Sequence, residues 1–116
     1  MHPAKLRRHD PPVRVRVGPA GAAIRGDFGE FDTEQLLLEA NGAARARRVA
    51  AGWGGGGFAI EHLPGGGRRL TLRWAWDTPR DAGQFEPALR RTAARLRGVT
   101  RVTRRGNEVT FTLHTP

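Results

Sequence analysis

The chain has 116 residues, a length that suits one domain with a single hydrophobic core. Its formal net charge is +9, and 38% of its residues are hydrophobic and 27% charged, a composition unlike that of disordered or membrane proteins. Because the sequence contains no Cys, Ser or Tyr, it excludes disulfides, thiolate metal sites and the cysteine and serine nucleophiles.

The positive charge comes almost entirely from arginine, since Lys5 is the one lysine among 20 basic residues. Together with 16 glycines and many alanines, this usage is typical of a GC-rich genome. A strongly basic protein can bind nucleic acid. Here a solvated basic surface is the favoured interpretation, and nucleic-acid binding remains an alternative.

Residues 1–12 contain three prolines and scattered charges, and we interpret them as a flexible basic arm before a single α+β domain at residues 13–116. The basic residues at the start are not followed by the apolar segment of a signal peptide, and no apolar run approaches the length of a spanning helix. The sequence predicts a cytoplasmic protein if the chain is complete, and an extracytoplasmic one if it is part of a larger secreted protein.

The first predicted strand lies at residues 13–17, where valine and arginine alternate with the period of a half-buried strand. This alternation turns Arg14 and Arg16 outward. After turn chemistry at residues 18–21, residues 22–25 predict a short second strand.

A helix is predicted from Asp32, which can cap it with Gln35 as the reciprocal capping-box partner. Apolar residues then recur at helical spacing as far as residue 51. Asn41-Gly42 is the weak point, where we expect a kink or a break, because glycine costs about 1 kcal/mol in a helix interior.

The glycine run at residues 54–57 follows Trp53 and invites comparison with a phosphate-binding loop. Such a loop runs from a strand through glycines into the N-terminus of a helix, and a Lys meets the phosphate. Here a predicted helix C-terminus precedes the glycines and no Lys follows them. The run is therefore interpreted as a flexible connection beside Trp53.

The clearest predicted strand follows a turn at residues 64–67, and it alternates four large apolar residues with polar ones. The inward residues are Leu70, Leu72, Trp74 and Trp76, and Arg69 and Arg73 point outward. Although tryptophans can stack on nucleic-acid bases, sharing a face with two leucines favours a core role. We expect Trp74 and Trp76 to be buried against Phe85 and Leu89 in the central strand.

The last third of the chain predicts a helix and a hairpin. Thr78 is the expected N-cap, Pro79 the first helical residue and Asp81 a capping carboxylate, with an apolar stripe through Leu96 and an end at Gly98. Residues 99–104 and 108–114 then predict a hairpin whose outward side chains include threonines.

The sequence contains no recognisable arrangement of catalytic residues. The four histidines have no acidic or histidine neighbour at metal-ligand spacing, and capping explains both Asp77 and Asp81. No catalytic residue, metal ligand, cofactor or membrane span is predicted. The predicted fold is α+β, a mainly antiparallel sheet with two helices packed on one face, in the rough order ββ-α-ββ-α-ββ.

The stretch around residues 53–85 resembles the C-terminal Trp-Gly-Gly and Trp-Asp-Thr module of large, mostly uncharacterised extracytoplasmic proteins of high-GC bacteria, some of them zinc-peptidase-like. The resemblance covers about residues 30–113. The matching positions are Gly52, Trp53, Gly54, Gly55, Trp76, Asp77, Thr78, Asp81, Ala82 and Phe85. The departures are Gly56 and Gly57 for the module's Asp and Arg, Phe58 for its Tyr, and Gln84 for its Glu. The resemblance implies a non-catalytic appendage of a larger protein, lacking any binding role that the module's Asp and Arg have.

Three functions remain open from the sequence. The first is a non-enzymatic accessory or protein-interaction domain with a protein partner. The second is a nucleic-acid-binding module with weak sequence preference, formed by outward arginines on one sheet face: Arg14, Arg16, Arg69, Arg73, Arg101 and Arg104. The third is a small-ligand-binding domain with a pocket between sheet and helices.

Overall fold

A computed structural model describes residues 24–116 of the chain. Three helices and five strands follow in the order β1-α1-α2-β2-β3-α3-β4-β5. Their bounds are β1 Ile24–Asp27, α1 Glu30–Asn41, α2 Ala43–Ala50, β2 Trp53–His62, β3 Arg68–Trp76, α3 Pro79–Ala93, β4 Val99–Arg105 and β5 Glu108–Thr115. The strands form one antiparallel sheet in the order β1-β2-β3-β5-β4, with β3 at its centre.

The predicted α+β class is confirmed, and the details differ. The described residues form three helices, where the sequence predicted two in the whole chain, because the first helix breaks at Gly42. The predicted strand over residues 22–25 corresponds to β1. The predicted strand at residues 13–17 and the arm at residues 1–12 lie outside the described residues.

The first helix begins three residues earlier than predicted, with Gly29 as its N-cap and Glu30 as its first residue. Asp32 is three residues past this cap, and its Oδ2 accepts a hydrogen bond of 2.8 Å from the Gly29 backbone N–H. Asp32 is therefore the carboxylate partner within the first turn, and the prediction that it was the cap, with Gln35 as its partner, is wrong. A carboxylate here also suits the positive end of the helix dipole.

The break between α1 and α2 lies where the sequence predicted a weak point. Gly42 has φ +82°, a backbone conformation that glycine adopts without the penalty of a Cβ, and its N–H donates to the Leu38 carbonyl at 2.8 Å. The Asn41 amide donates to the carbonyls of Leu37 at 3.0 Å and Ala88 at 3.1 Å. Asn41 thus ties the break to α3.

The glycine run is part of a strand, so its interpretation as a flexible connection is wrong. Trp53 and residues 54–57 belong to β2, which pairs with β3 along its length apart from a register shift next to Trp53. A Cβ on Gly54 would lie 2.9 Å from the Ala75 carbonyl oxygen, and one on Gly56 would collide with the Phe28 carbonyl oxygen. These glycines allow the backbone to pack closely against its neighbours.

The core lies between the helices and one face of the sheet, and the predicted burial of the tryptophans is confirmed. Trp74 is 0% and Trp76 1% exposed. Both rings contact Phe85, with centroid distances of 4.6 Å from Trp74 and 4.4 Å from Trp76, and Leu89 belongs to the same cluster. The helix-facing side of the sheet is therefore filled by aromatic residues.

Thr78 caps α3 as predicted, because its hydroxyl accepts a hydrogen bond of 3.1 Å from the Asp81 N–H, and Pro79 opens the helix. The helix ends at Ala93, earlier than predicted, so Leu96 is 37% exposed and does not continue the buried stripe. None of the helices in the described part of the chain is long and apolar enough to cross a membrane.

Candidate functional site

The face of the sheet opposite the helices is called the outer face here, and the strand register determines which side chains share it. Thr110 of β5 lies between Arg73 of β3 and Thr103 of β4. These three residues form one row across the sheet. On one side of it, a second row consists of Thr71, Thr112 and Arg101, and on the other side a third row includes Glu108 and Arg105. Because side chains alternate between the two faces, these three rows project together.

Two of the predicted surface arginines are held by carboxylates on this face. Arg69 forms two hydrogen bonds with Glu61, with distances of 2.9 Å from Nε to Oε1 and 3.1 Å from Nη2 to Oε2. The bond from Arg69 holds the pKa of Glu61 below its usual value, and the same bond raises the pKa of Arg69. Arg73 donates to Glu108 Oε1 at 3.2 Å. The outer face is therefore less positive than its arginines alone suggest.

Arg104 is on the opposite face from Arg101, and its predicted place on the outer face is wrong. Its cross-strand partner is Val109, which is buried with the core, and its Nε donates to Glu86 of α3 at 2.9 Å. Residues three apart in a regular strand point to opposite faces, so alternation already separates Arg101 from Arg104. Arg14 and Arg16, the other two predicted members, lie outside the described residues.

Strand β4 carries exposed cationic side chains on the outer face. Arg101, Thr103 and Arg105 alternate along it and all three are exposed. In the described part of the chain, no carboxylate forms an ion pair with Arg101 or Arg105. We call these three residues, together with Arg73 and Thr110 beside them, the basic strip. Sequence reasoning missed Arg105 by assigning it to the hairpin turn, although its period-2 spacing from Arg101 was visible.

The basic strip contains a surface depression of about 330 Å³. Its lining consists of Arg73, Thr103, Arg104, Arg105, Glu108 and Thr110. Apart from Arg104, whose side chain bonds to Glu86 on the helix side, these residues lie on the outer face and not between sheet and helices, where the sequence placed a ligand pocket. Its groups are cationic guanidiniums and hydroxyls with one carboxylate, which suits hydrogen bonding to anions.

The outer edge of β4 is the end of the sheet among the described strands. Arg90 of α3 reaches this strand and donates from Nη2 to the Val102 carbonyl at 3.3 Å. Charged side chains on an edge strand, here Arg101 and Arg105, discourage pairing with a further strand. The exposed face of β4 is consequently better suited to binding than its edge.

Comparison with known proteins identifies the family to which the chain belongs. A family model described as a domain of unknown function, DUF8575, matches residues 14–115. The chain belongs to the DUF8575 family. No curated protein matches the chain, and no solved structure matches it.

In this DUF8575 chain, several residues of the Trp-Gly-Gly and Trp-Asp-Thr motifs make contacts that hold the fold together. Trp53 Nε1 donates to the Phe28 carbonyl at 3.1 Å, which ties β2 to the segment after β1. Asp77 follows β3, and its N–H donates to the Gly52 carbonyl at 2.9 Å. Asp81 accepts a hydrogen bond from the Thr78 hydroxyl at 3.0 Å. These residues join the helix ends to the sheet.

The described part of the DUF8575 chain holds no cluster of three or more His, Cys, Asp or Glu side chains that could bind a metal ion. Hydrogen bonds from Arg90 at 2.7 Å and Arg104 at 2.9 Å lower the pKa of the Glu86 carboxyl below its usual value. A carboxylate held ionised between two guanidiniums is suited to structural support and not to proton transfer near neutral pH.

Proposed function

We propose that the chain is a non-enzymatic protein-interaction domain that binds an acidic segment of a protein partner on its basic strip. The observation that carries the proposal is the exposure of Arg101, Thr103 and Arg105 on one face of β4, with no carboxylate paired to either arginine among residues 24–116. Arginine is favoured at protein interfaces because its planar group binds carboxylates with two parallel hydrogen bonds.

An accessory role in a larger protein is part of the same proposal. The resemblance to the C-terminal Trp-Gly-Gly module supports it, and so does the structural use of the motif residues. Trp76 is buried, Thr78 caps α3 and Asp81 bonds to that cap. Because these motif residues stabilise the fold, we expect a partner to bind other residues, and the basic strip is an exposed surface that could bind it.

Nucleic-acid binding with weak sequence preference is the alternative, supported by the chain's net charge of +9. The outer face gives it less support than the sequence did, because Arg69 and Arg73 are paired with Glu61 and Glu108. Trp74, Trp76 and Phe111 face the helices, so these large rings are not available on the outer face for stacking on a base.

A small-ligand pocket between sheet and helices gains no support from the packing. Trp74, Trp76, Phe85 and Leu89 fill that space, and each is at most 1% exposed. Any small ligand would have to bind elsewhere, and the depression in the basic strip is open to solvent and polar. Such a depression suits a charged group carried by a larger partner better than a buried apolar molecule.

Fluorescence anisotropy with a labelled glutamate-rich peptide and with labelled single-stranded and duplex oligonucleotides tests the proposal. We expect the peptide to bind at physiological salt. The double substitution Arg101→Gln, Arg105→Gln should weaken its binding by about two- to thirtyfold, because two exposed charge pairs contribute about 0.2 to 1 kcal/mol each. The matched control is Arg45→Gln, Arg48→Gln, which removes the same charge from exposed positions on α2.

The oligonucleotides distinguish the alternative. If the strip binds phosphates only through Arg101 and Arg105, about two contacts predict a slope of log affinity against log salt of about −1.8 for duplex and about −1.4 for single strands. The expected Kd is weaker than about 1 μM. Oligonucleotide binding that is tighter than peptide binding at physiological salt would overturn the protein-interaction proposal. An equal loss of peptide binding in both double variants would show that overall charge, and not the strip, is responsible.

A further inference from the structure

The depression in the basic strip is built from two rows of neighbouring side chains. Thr110 pairs across the sheet with Arg73 on one side and Thr103 on the other. The next row brings Glu108 beside Arg105. Residues directly opposite one another in an antiparallel pair have Cβ atoms about 5 Å apart. Side chains from three strands can therefore reach one small group in the depression.

The two threonine hydroxyls in this depression are available as donors. Thr103 is exposed and Thr110 half-buried, and neither hydroxyl has a hydrogen-bond partner within the described residues. A hydroxyl carries one rotatable donor, and a guanidinium carries five donors in a fixed plane. These hydroxyls line the same depression as Arg73 and Arg105, and together the hydroxyls and guanidiniums form a donor set that matches the oxygens of a carboxylate or phosphate.

Glu108 shows that this site already accommodates a carboxylate. Its Oε1 accepts a hydrogen bond of 3.2 Å from Arg73, and the side chains of the pair are 44% and 50% exposed. A pair with this exposure contributes little to stability, because water screens it. Glu108 is thus an internal competitor that an incoming anion can displace or share, and its removal should favour anion binding.

We propose that the depression is an oxyanion-binding site, in which Thr103 and Thr110 donate hydrogen bonds and Arg73 and Arg105 supply charge to a carboxylate or phosphate group of a protein partner. The inference rests on the proposed function for the identity of the macromolecule that carries the group. The site itself, as a place that binds a small oxyanion, is testable without that partner.

The test is a titration of the full chain with inorganic phosphate and, separately, with acetate, followed by backbone amide chemical shifts. Sodium chloride keeps the ionic strength constant, so that general screening does not change during the titration. We expect saturable shifts at Thr103 and Thr110 with a millimolar Kd. Saturation by phosphate alone identifies a phosphoryl group as the ligand, and saturation by acetate identifies a carboxylate.

Three variants make the result specific. Arg105→Gln should weaken binding about fivefold, whereas Arg97→Gln, which removes an exposed arginine outside the depression, should leave it unchanged. Glu108→Gln should strengthen binding about fivefold, because it removes the competing carboxylate. A merely structural role for Glu108 would not produce this gain.

The outcomes separate the site from the proposed function. Shifts at the depression without any binding of the glutamate-rich peptide would sustain the oxyanion site and contradict the protein-interaction proposal. Peptide binding that leaves Thr103 and Thr110 unshifted would contradict the site and sustain the proposal. Linear, unsaturated shifts with both anions, or equal losses in Arg105→Gln and Arg97→Gln, would overturn the site.

Discussion

Two buried tryptophans on the same strand differ in how their indole N–H groups are satisfied. Trp74 Nε1 donates to the Thr33 hydroxyl at 3.0 Å, and that hydroxyl in turn donates to the Gly29 carbonyl at 2.8 Å. The Nε1 of Trp76 is buried and has no hydrogen-bond partner among residues 24–116. A buried donor without a partner loses its hydration and gains no bond in return.

Replacing each of these tryptophans by phenylalanine should therefore have unequal effects. Both changes remove buried apolar area, but only Trp74→Phe also removes a hydrogen bond, so we expect it to cost about 1 kcal/mol more than Trp76→Phe. Urea denaturation of the two variants measures the difference. Equal losses would show that the bond between Trp74 and Thr33 contributes nothing net to stability.

The glycines also divide into two groups according to their surroundings. A Cβ at Gly56 would collide with the Phe28 carbonyl oxygen and lie 3.1 Å from Trp53 Nε1. A Cβ at Gly83, inside α3, would meet nothing within 4 Å. The first glycine is required by close packing of backbone against backbone, and the second occupies a position that alanine can fill.

Gly56→Ala should destabilise the protein by about 1 to 3 kcal/mol, the usual cost of overpacking. Gly83→Ala is the matched control and should stabilise it by up to about 1 kcal/mol, because alanine is favoured in a helix interior. Thermal melts of both variants test this pair. A neutral Gly56→Ala would mean that β2 and the Phe28 segment can move apart without penalty.

At the scale of elements, one carboxylate joins α3 to β4. Glu86 accepts hydrogen bonds from Arg90 on its own helix and from Arg104 on the strand, and Arg90 extends to the Val102 carbonyl. Asn41 makes a comparable link between α1 and α3 through the Ala88 carbonyl. These polar contacts position the helices along the sheet, while the apolar core supplies most of the burial.

The link through Glu86 predicts a dependence on pH. Hydrogen bonds from Arg90 and then Arg104 lower the pKa of Glu86 in the folded protein below its usual value of 4.5. A carboxylate with a lowered folded pKa contributes stability above pH 4.5, and that contribution is lost as the pH falls through the folded value. Glu86→Gln should thus lower the free energy of unfolding at pH 7 and have a smaller effect in acid.

Denaturant melts of wild type and Glu86→Gln at neutral and acidic pH measure this difference. Glu39→Gln is the control, because the Glu39 side chain is 93% exposed and its carboxylate lies 4.0 Å from Arg95. Such a pair contributes little at any pH. A penalty for Glu86→Gln that stays constant from neutral to acidic pH would show that lost packing, and not the charge, is responsible.

At the scale of the whole molecule, the net charge of the chain does not indicate how positive its candidate site is. The chain carries +9, yet on the outer face Glu61 and Glu108 neutralise two of the described arginines. Net charge governs long-range attraction, whereas binding depends on the arginines that a partner can reach. For this reason the protein-interaction proposal rests on β4 and not on composition.

The sequence by itself determined those features that depend on neighbouring residues. Strand alternation placed Trp74 and Trp76 together on the inward face, and cap chemistry located Thr78 at the start of α3. The instability of Asn41-Gly42 in a helix marked the break before α2. The same alternation also separates Arg101 from Arg104, so that error lay in the interpretation and not in the sequence.

Only the tertiary structure decided what depends on residues distant in the chain. Glycine has a low propensity for strands, so local sequence does not predict that residues 54–57 belong to one. They form part of β2 because the neighbouring strands and the Phe28 segment pack against them. The pairing of Arg73 with Glu108, 35 residues away, follows from the register of β3 and β5. The depression at Thr103 and Thr110 exists because three strands meet there, and strand order is set by the packing of the whole core and not by any local segment.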